Sequence, residues 1–196
     1  MSWTSKSLGS LCDINIGRTP SRACGEYWGG SHPWASISDM GRAKYLSKTK
    51  ESITDFAIEQ CNMRKVEPGT VLFSFKLSIG KVSIVEKPLC TNEAIASLPI
   101  KHPDELHRDY LYHALKIIAG RISGNRAAKG ETLNKSSLAL IKIPLPPINE
   151  QLRIASALDS IEGQISCHLE AAAELGYLYS LSGSEFLSAS KIIIDS

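Results

Sequence analysis

The run from Leu138 to Arg153 reads Leu-Ala-Leu-Ile-Lys-Ile-Pro-Leu-Pro-Pro-Ile-Asn-Glu-Gln-Leu-Arg, and it limits the folds open to this chain more than any other stretch. An apolar, β-branched segment ends at Ile143, and prolines stand at 144, 146 and 147. Proline fixes φ and removes a backbone N–H, so the three are expected to forbid both a continued strand and an immediate helix. Beyond them the pattern is helical almost to the C-terminus. The sequence therefore predicts a compact body over residues 1–146, a rod over 147–187 and a tail at 188–196, with the prolines as a rigid joint.

Along the rod, Ile154, Leu158, Ile161, Ile165, His168, Ala172, Leu175 and Tyr179 recur at alternating steps of four and three. That is the a/d seam of about four heptads. A helix of this length would reach roughly 60 Å at 1.5 Å per residue, more than one small body can cover. The seam either packs back on residues 1–146 or pairs with a second helix, from another copy or from a partner. Gly163 and Gly176 each weaken the helix by about 1 kcal/mol.

Charge divides at the same joint. Residues 1–148 hold 20 Lys and Arg against 13 Asp and Glu, a balance of +7; residues 149–196 hold 2 against 7, a balance of −5. Either these are ordinary solvated faces, or the body meets a polyanion and the rod meets protein. No apolar run approaches the roughly 18 residues of a membrane span. The start, Met-Ser-Trp-Thr-Ser-Lys, lacks the apolar segment of a signal peptide. The five cysteines, at 12, 24, 61, 90 and 167, are scattered and never spaced Cys-x-x-Cys. Free thiols in a reducing cytoplasm are expected, with neither disulfides nor a zinc site.

The body reads as alternating short strands and helices. Leu8 to Ile16 is a turn leading into a strand, and Pro33 to Ile37 is a strand. Phe56 to Cys61 is a helix capped by Thr54. Val71–Phe75 and Val82–Val85 form a hairpin, Ala94–Ile100 a further strand, and Pro103-Asp104 opens a helix through Ile118. This mixture predicts an α+β body with a mixed, strongly bent sheet.

Catalytic signatures are missing from the sequence. There is no Glu-x-Lys or Asp-x-Lys triplet for a metal-dependent nuclease, no P-loop and no Gly-x-Ser-x-Gly elbow. Leu145-Pro146-Pro147 lacks the amide of an amino-methyltransferase Asn-Pro-Pro signature, and His107 and His113 are too far apart for a metal pair on one helix face. What the body has is a set of polar, glycine-bearing loops. They carry Arg18 and Thr19; Ser36, Ser38 and Asp39; Lys76, Ser78 and Lys81; Asn92; and Arg126, Lys129 and Thr132. Lys and Arg grip phosphates, while Asn, Ser, Asp and Arg can read base edges. Taken singly each is an ordinary surface loop; together, on a basic body, they point to DNA.

Several of these stretches, taken in order, resemble the target recognition domain of type I restriction–modification specificity (S) subunits. They are Gly17-x-Thr19-Pro20-Ser21, the Trp28 and Trp34 region ending in Asp39, Gly69-Thr70-Val71-Leu72, Ser78-x-Gly80-Lys81-Val82, Thr91-Asn92-Glu93-Ala94 and Gly130-x-Thr132. The most specific is Ile141-x-Ile143-Pro144-Leu145-Pro146-Pro147-Ile148-x-Glu150-Gln151-x-x-Ile154-Ala155, which resembles the start of the family's spacer helix. The resemblance implies a non-catalytic DNA-reading module without a cofactor of its own. Methyltransferase (M) subunits, which use S-adenosylmethionine, would clasp the spacer helix, and a translocating restriction (R) subunit would join them. The family's usual plan has two such domains and two helices, whereas this chain has one of each. It is then a half-subunit that forms a homodimer through Ile154, Leu158, Ile161, Ile165, Leu175 and Tyr179, or a piece of a longer protein. A symmetric pair would read an inverted repeat with an unspecified middle. The alternatives are a scaffold that works through its rod, and the recognition end of a single-chain enzyme.

Overall fold

The computed structural model describes the backbone of residues 3–76, 78–127 and 133–194, and the side chains of 3–76, 78–121 and 133–175. Two units are present, Met1–Ile154 and Ala155–Ser196.

Among the described residues, three small sheets build the first unit. The central one has five strands in the order β2 (Asn15–Ile16), β9 (Ile95–Leu98), β6 (Val71–Ser74), β7 (Val82–Val85) and β4 (Tyr45–Leu46). β6 pairs antiparallel with β7 and with β9, whereas β4 runs parallel to β7. Every residue of β6, β7 and β9 is buried, so these strands read as continuous rather than alternating hydrophobic runs. Helix α3 (Arg108–Ala127) packs against β6 and β7 through an apolar face that includes Tyr110, Leu111 and Leu115.

The second sheet orders β5 (Glu51–Ile53), β3 (Trp28–Ala35) and β8 (Cys90–Thr91), with β5 antiparallel and β8 parallel to β3. Helix α2 (Asp55–Gln60) lies against it, and its N-cap Thr54 accepts the Ala57 N–H. Trp34, Ile53, Ala57, Met63 and Cys90 form one apolar cluster here. A second cluster, including Met40, Leu72, Val85 and Ile95, fills the body beside the central sheet. Each such large side chain contributes about 1.5–3 kcal/mol when fully buried.

The third sheet is a ribbon of β1 (Thr4–Ser7) and β10 (Lys142–Leu145), flanked by the short helices α1 (Leu8–Leu11) and α4 (Lys135–Ala139). Here the structure corrects the reading of the prolines. Pro144 does not end the strand; it pairs opposite Ser5 within β10. In a two-stranded ribbon alternate N–H groups point away from the partner, so a missing one costs no ladder bond. Pro147 likewise permits an immediate helix, because its carbonyl accepts the N–H of Glu150 and of Gln151. Helix α5 runs from Ile148 to Ile194, past residue 187. The architecture is α+β, mixed sheets followed by a long C-terminal helix, although the strands divide among three sheets rather than one bent sheet. Two further boundaries differ. β3 begins at Trp28 and takes in Gly29 and Gly30, and α3 begins at Arg108, after a turn at 103–105.

Candidate nucleic-acid interface

The loop that leaves β2 crosses the end of β8 at the closest distance two backbones allow. A Cβ built on Gly17 would lie 2.2 Å from the Thr91 carbonyl oxygen and 2.3 Å from that of Asn92, so only glycine fits. Gly17 N–H donates to the Ile95 carbonyl at 3.2 Å and Arg18 N–H to the Thr91 carbonyl at 2.8 Å. Arg18 Nη1 then donates to the Cys61 carbonyl at 3.2 Å, and the Thr19 hydroxyl donates to the Glu93 carboxylate. Asn92 N–H donates to the Ala35 carbonyl at 3.0 Å, while its side-chain oxygen accepts from Ala94 N–H at 3.1 Å. Arg18, Thr19, Ser36 and Asn92 therefore meet where β3 and β8 end.

The adjoining turn, Ile37–Asp39, is a single 3-10 turn closed on itself. One Asp39 carboxylate oxygen accepts from Ser36 N–H at 2.9 Å and from the Ser36 hydroxyl at 2.8 Å, and the other accepts from Lys50 N–H at 3.1 Å. Lys81 Nζ donates to the Ile37 carbonyl at 2.9 Å. Asp39 and Lys81 thus hold the turn, and Ser38 stands exposed on it with its hydroxyl 2.8 Å from that of Ser36. The tip of the β6–β7 hairpin presents Lys76 and Ser78 to solvent; the Ser74 hydroxyl closes that tip by donating to the Ser78 carbonyl at 2.6 Å. Gly80 there has φ +100°, and its Cβ would stand 2.7 Å from that of Ala119, which seats the tip against α3. Lys129 and Thr132, and the side chain of Arg126, lie outside the described residues.

An aromatic wall backs the first group. Trp34 Nε1 donates to the Arg18 carbonyl at 3.0 Å and Trp28 Nε1 to the Ser21 carbonyl at 3.2 Å. The two indoles meet edge to face at 5.1 Å. The Arg22 guanidinium lies 3.7 Å over the Trp28 ring and pairs with Glu51. That hydrogen bond raises the Arg22 pKa and lowers the Glu51 carboxyl below its ordinary range. Burial pushes the Cys12 thiol up to about 12 and the Cys90 thiol to about 11, so both stay protonated.

A family model described as the type I restriction modification DNA specificity domain matches residues 1–175. The chain belongs to this family. It is 31% identical to the MjaIX specificity subunit of Methanocaldococcus jannaschii over 168 residues, covering 83% of this chain and 38% of that one. It is 29% identical to a type I restriction enzyme specificity subunit of Escherichia coli over 168 residues, covering 80% of this chain and 40% of the other. The chain spans about two fifths of the length of these relatives. Among solved structures, the HsdS subunit from Thermoanaerobacter tengcongensis superposes with a TM-score of 0.67 at 25% identity, over 85% of this chain and 39% of that one. A chain from work on complex assembly and conformational transition of the type I R-M system gives 0.72 at 26% identity, over 88% of this chain and 41% of the other.

Within this specificity domain the sequence reading passed over Arg22. Its signal was present in the two tryptophans of the 28–34 stretch, which offer a guanidinium a flat π-face. It also passed over Arg64, whose guanidinium donates to the Asn15 side-chain carbonyl 49 residues away, a contact that no sequence spacing announces.

Proposed function

We propose that this chain is a sequence-reading DNA specificity subunit of a type I restriction–modification system, or half of one. It performs no chemistry itself and directs S-adenosylmethionine-dependent methyltransferase subunits, and with them a restriction subunit, to a bipartite double-stranded target in the cytoplasm. The observation that carries this reading is the family match over residues 1–175, which spans both the loop-bearing body and the first part of the helix. In this reading residues 1–146 read the DNA. Exposed Arg18, Thr19, Ser38, Lys76 and Ser78, together with half-buried Ser36 and Asn92, reach bases and phosphates, and Asp39 and Lys81 hold the turn between them. Arg126, Lys129 and Thr132 remain DNA-contacting candidates on the sequence alone. Helix residues from 147 onward serve as the spacer, and two copies joined through the Ile154–Tyr179 seam rebuild the two-site arrangement.

Binding of the chain and a cognate methyltransferase to duplex DNA tests the first part. Affinity should fall steeply with salt, because several phosphates are neutralised. Undetectable or salt-insensitive binding would count against it. Methylome sequencing of a host with and without the gene should reveal one split motif that depends on it. A scaffold that works through its helix would give neither result. A truncation that separates the two readings ends after Ile154, because Gln151 is fully buried within the first unit. The DNA reader retains weak DNA contact in that form, and the scaffold loses all function.

A further inference from the structure

A recess of about 330 Å³ opens beside the Gly17–Arg18 loop, lined by Asn15, Arg18, Asn62, Arg64 and Lys135. With Ile16 and Gly17 these complete the lining; three of the seven residues are cations, and among the described residues no carboxylate lines it. Arg64 donates one N–H to the Asn15 side-chain oxygen, and Arg18 donates Nη1 to the Cys61 carbonyl. Both guanidinium groups are therefore positioned by neutral acceptors, so their charge is not offset, and a guanidinium carries five donors in all. Among the described residues neither arginine forms an ion pair, and the Lys135 ammonium has no hydrogen-bond partner. Asn62, also in the lining, has φ 47°, a left-handed backbone angle that asparagine tolerates and most side chains do not. That turn brings the chain back from α2 so that Arg64 reaches Asn15. At the other side the Asn134 side chain caps α4 by accepting Ser137 N–H at 2.9 Å, and this fixes the backbone of Lys135.

Like charges gathered around a pre-formed hollow repel one another and weaken the fold unless an anion sits among them. We propose that this recess holds one backbone phosphate of duplex DNA, with Arg64 and Lys135 as its main cationic ligands. The assignment rests on the DNA-reading function above and refines it. The recess contains Gly17 and Arg18, the same loop whose next residues meet Ser36 and Asn92. A phosphate gripped here sets the register of the duplex against those loops without contributing to base preference.

The experiment compares the full chain with its Arg64→Gln, Lys135→Gln and double variants, each with the cognate methyltransferase, on a fluorescent random-sequence duplex pool across a salt series. Lys87→Gln serves as a charge-matched control. Lys87 lies two residues beyond Val85, at the end of β7 opposite Lys81, and is not among the residues lining the recess. The double variant should bind several-fold more weakly and flatten the slope of log affinity against log salt by about 0.9, the loss of one phosphate contact. Each single variant should lose part of that, and the control should keep the wild-type slope. Arg64→Gln also frees Asn15, but Lys135→Gln breaks no hydrogen bond or ion pair among the described residues, so a change in the latter reports on the ligand. A double variant that binds the pool with the wild-type slope would overturn the phosphate site and leave the DNA-reading function standing. A wild-type chain with no salt-dependent DNA binding would overturn both.

Discussion

Gln151 has no exposed surface, yet it is polar, and three hydrogen bonds engage its oxygen and both N–H groups. Its oxygen accepts His107 N–H at 2.9 Å, and its amide nitrogen donates to the carbonyls of Glu105 at 2.8 Å and Pro146 at 2.9 Å. One side chain at the start of α5 thus closes the turn that precedes α3 and pins the last residues before the helix. Gln151→Leu would leave one N–H and two carbonyls dry, each costing about 1–3 kcal/mol. Urea unfolding of the first unit should show a loss of roughly 3 kcal/mol or more. Gln151→Glu keeps the acceptor but sets a carboxylate against two carbonyls. Its loss should shrink in acid, where a protonated glutamic acid regains a donor, and a pH-independent loss would contradict the assignment. Gly17→Ala acts by sterics alone, forcing a Cβ against backbone at 2.2 Å. It should destabilise the domain by about 2 kcal/mol or more in the same measurement.

At the scale of elements, α3 is tied to the segment before β4 by charge. Lys44 Nζ stands 2.9 Å from one Asp109 oxygen, and Arg108 donates to the other at 3.3 Å, with His107 at 3.7 Å. Burial pushes the Asp109 carboxyl up, but the ion pair with Lys44 and the nearby Arg108 charge outweigh it, and the pKa lies below the ordinary aspartate value. A folded-state pKa that is depressed contributes stability above the unfolded value, about 4, and loses it as pH falls through the lower folded value. Thermal unfolding against pH should therefore show an acid limb that Asp109→Asn removes in part. At neutral pH that variant should cost about 3 kcal/mol, because Lys44 and Arg108 are left without their carboxylate. The same scale explains what the sequence disclosed. Apolar runs such as Val71–Ser74 and Ile95–Leu98, and the Thr54 cap, are local signals and could be read directly. Pro144 in a strand, and β3 extending back through Gly29 and Gly30, depend on which strand lies alongside, which no local pattern states. The candidate interface divides the same way. Its candidate loops, and the local Ser36–Asp39 turn, lie in glycines and polar residues close in sequence, whereas the bond from Lys81 to the Ile37 carbonyl and the partnership of Arg64 with Asn15 are long-range.

The whole molecule turns on the helix. At 47 residues α5 is roughly 70 Å long, and along its described part Ile161, Ile165 and Leu175 are 50%, 54% and 66% exposed. An isolated helix in water draws little stability from propensity, and Gly163 subtracts from that. Covering exposed Ile161, Ile165, Leu169 and Leu175 with a partner would add the stability that propensity does not supply. If that partner is a second copy, sedimentation at tens of micromolar should give a dimer, and helical circular dichroism should rise with protein concentration. Leu158→Asp with Ile165→Asp places two charges on the seam and should give a monomer with reduced helix signal, while the first unit's unfolding midpoint stays unchanged. If the methyltransferase is the partner instead, the chain alone should sediment as a monomer at every concentration. Helix signal would then rise only when that subunit is added, and the double substitution would abolish the rise. A chain that is monomeric, fully helical and indifferent to both substitutions would remove the seam from either role.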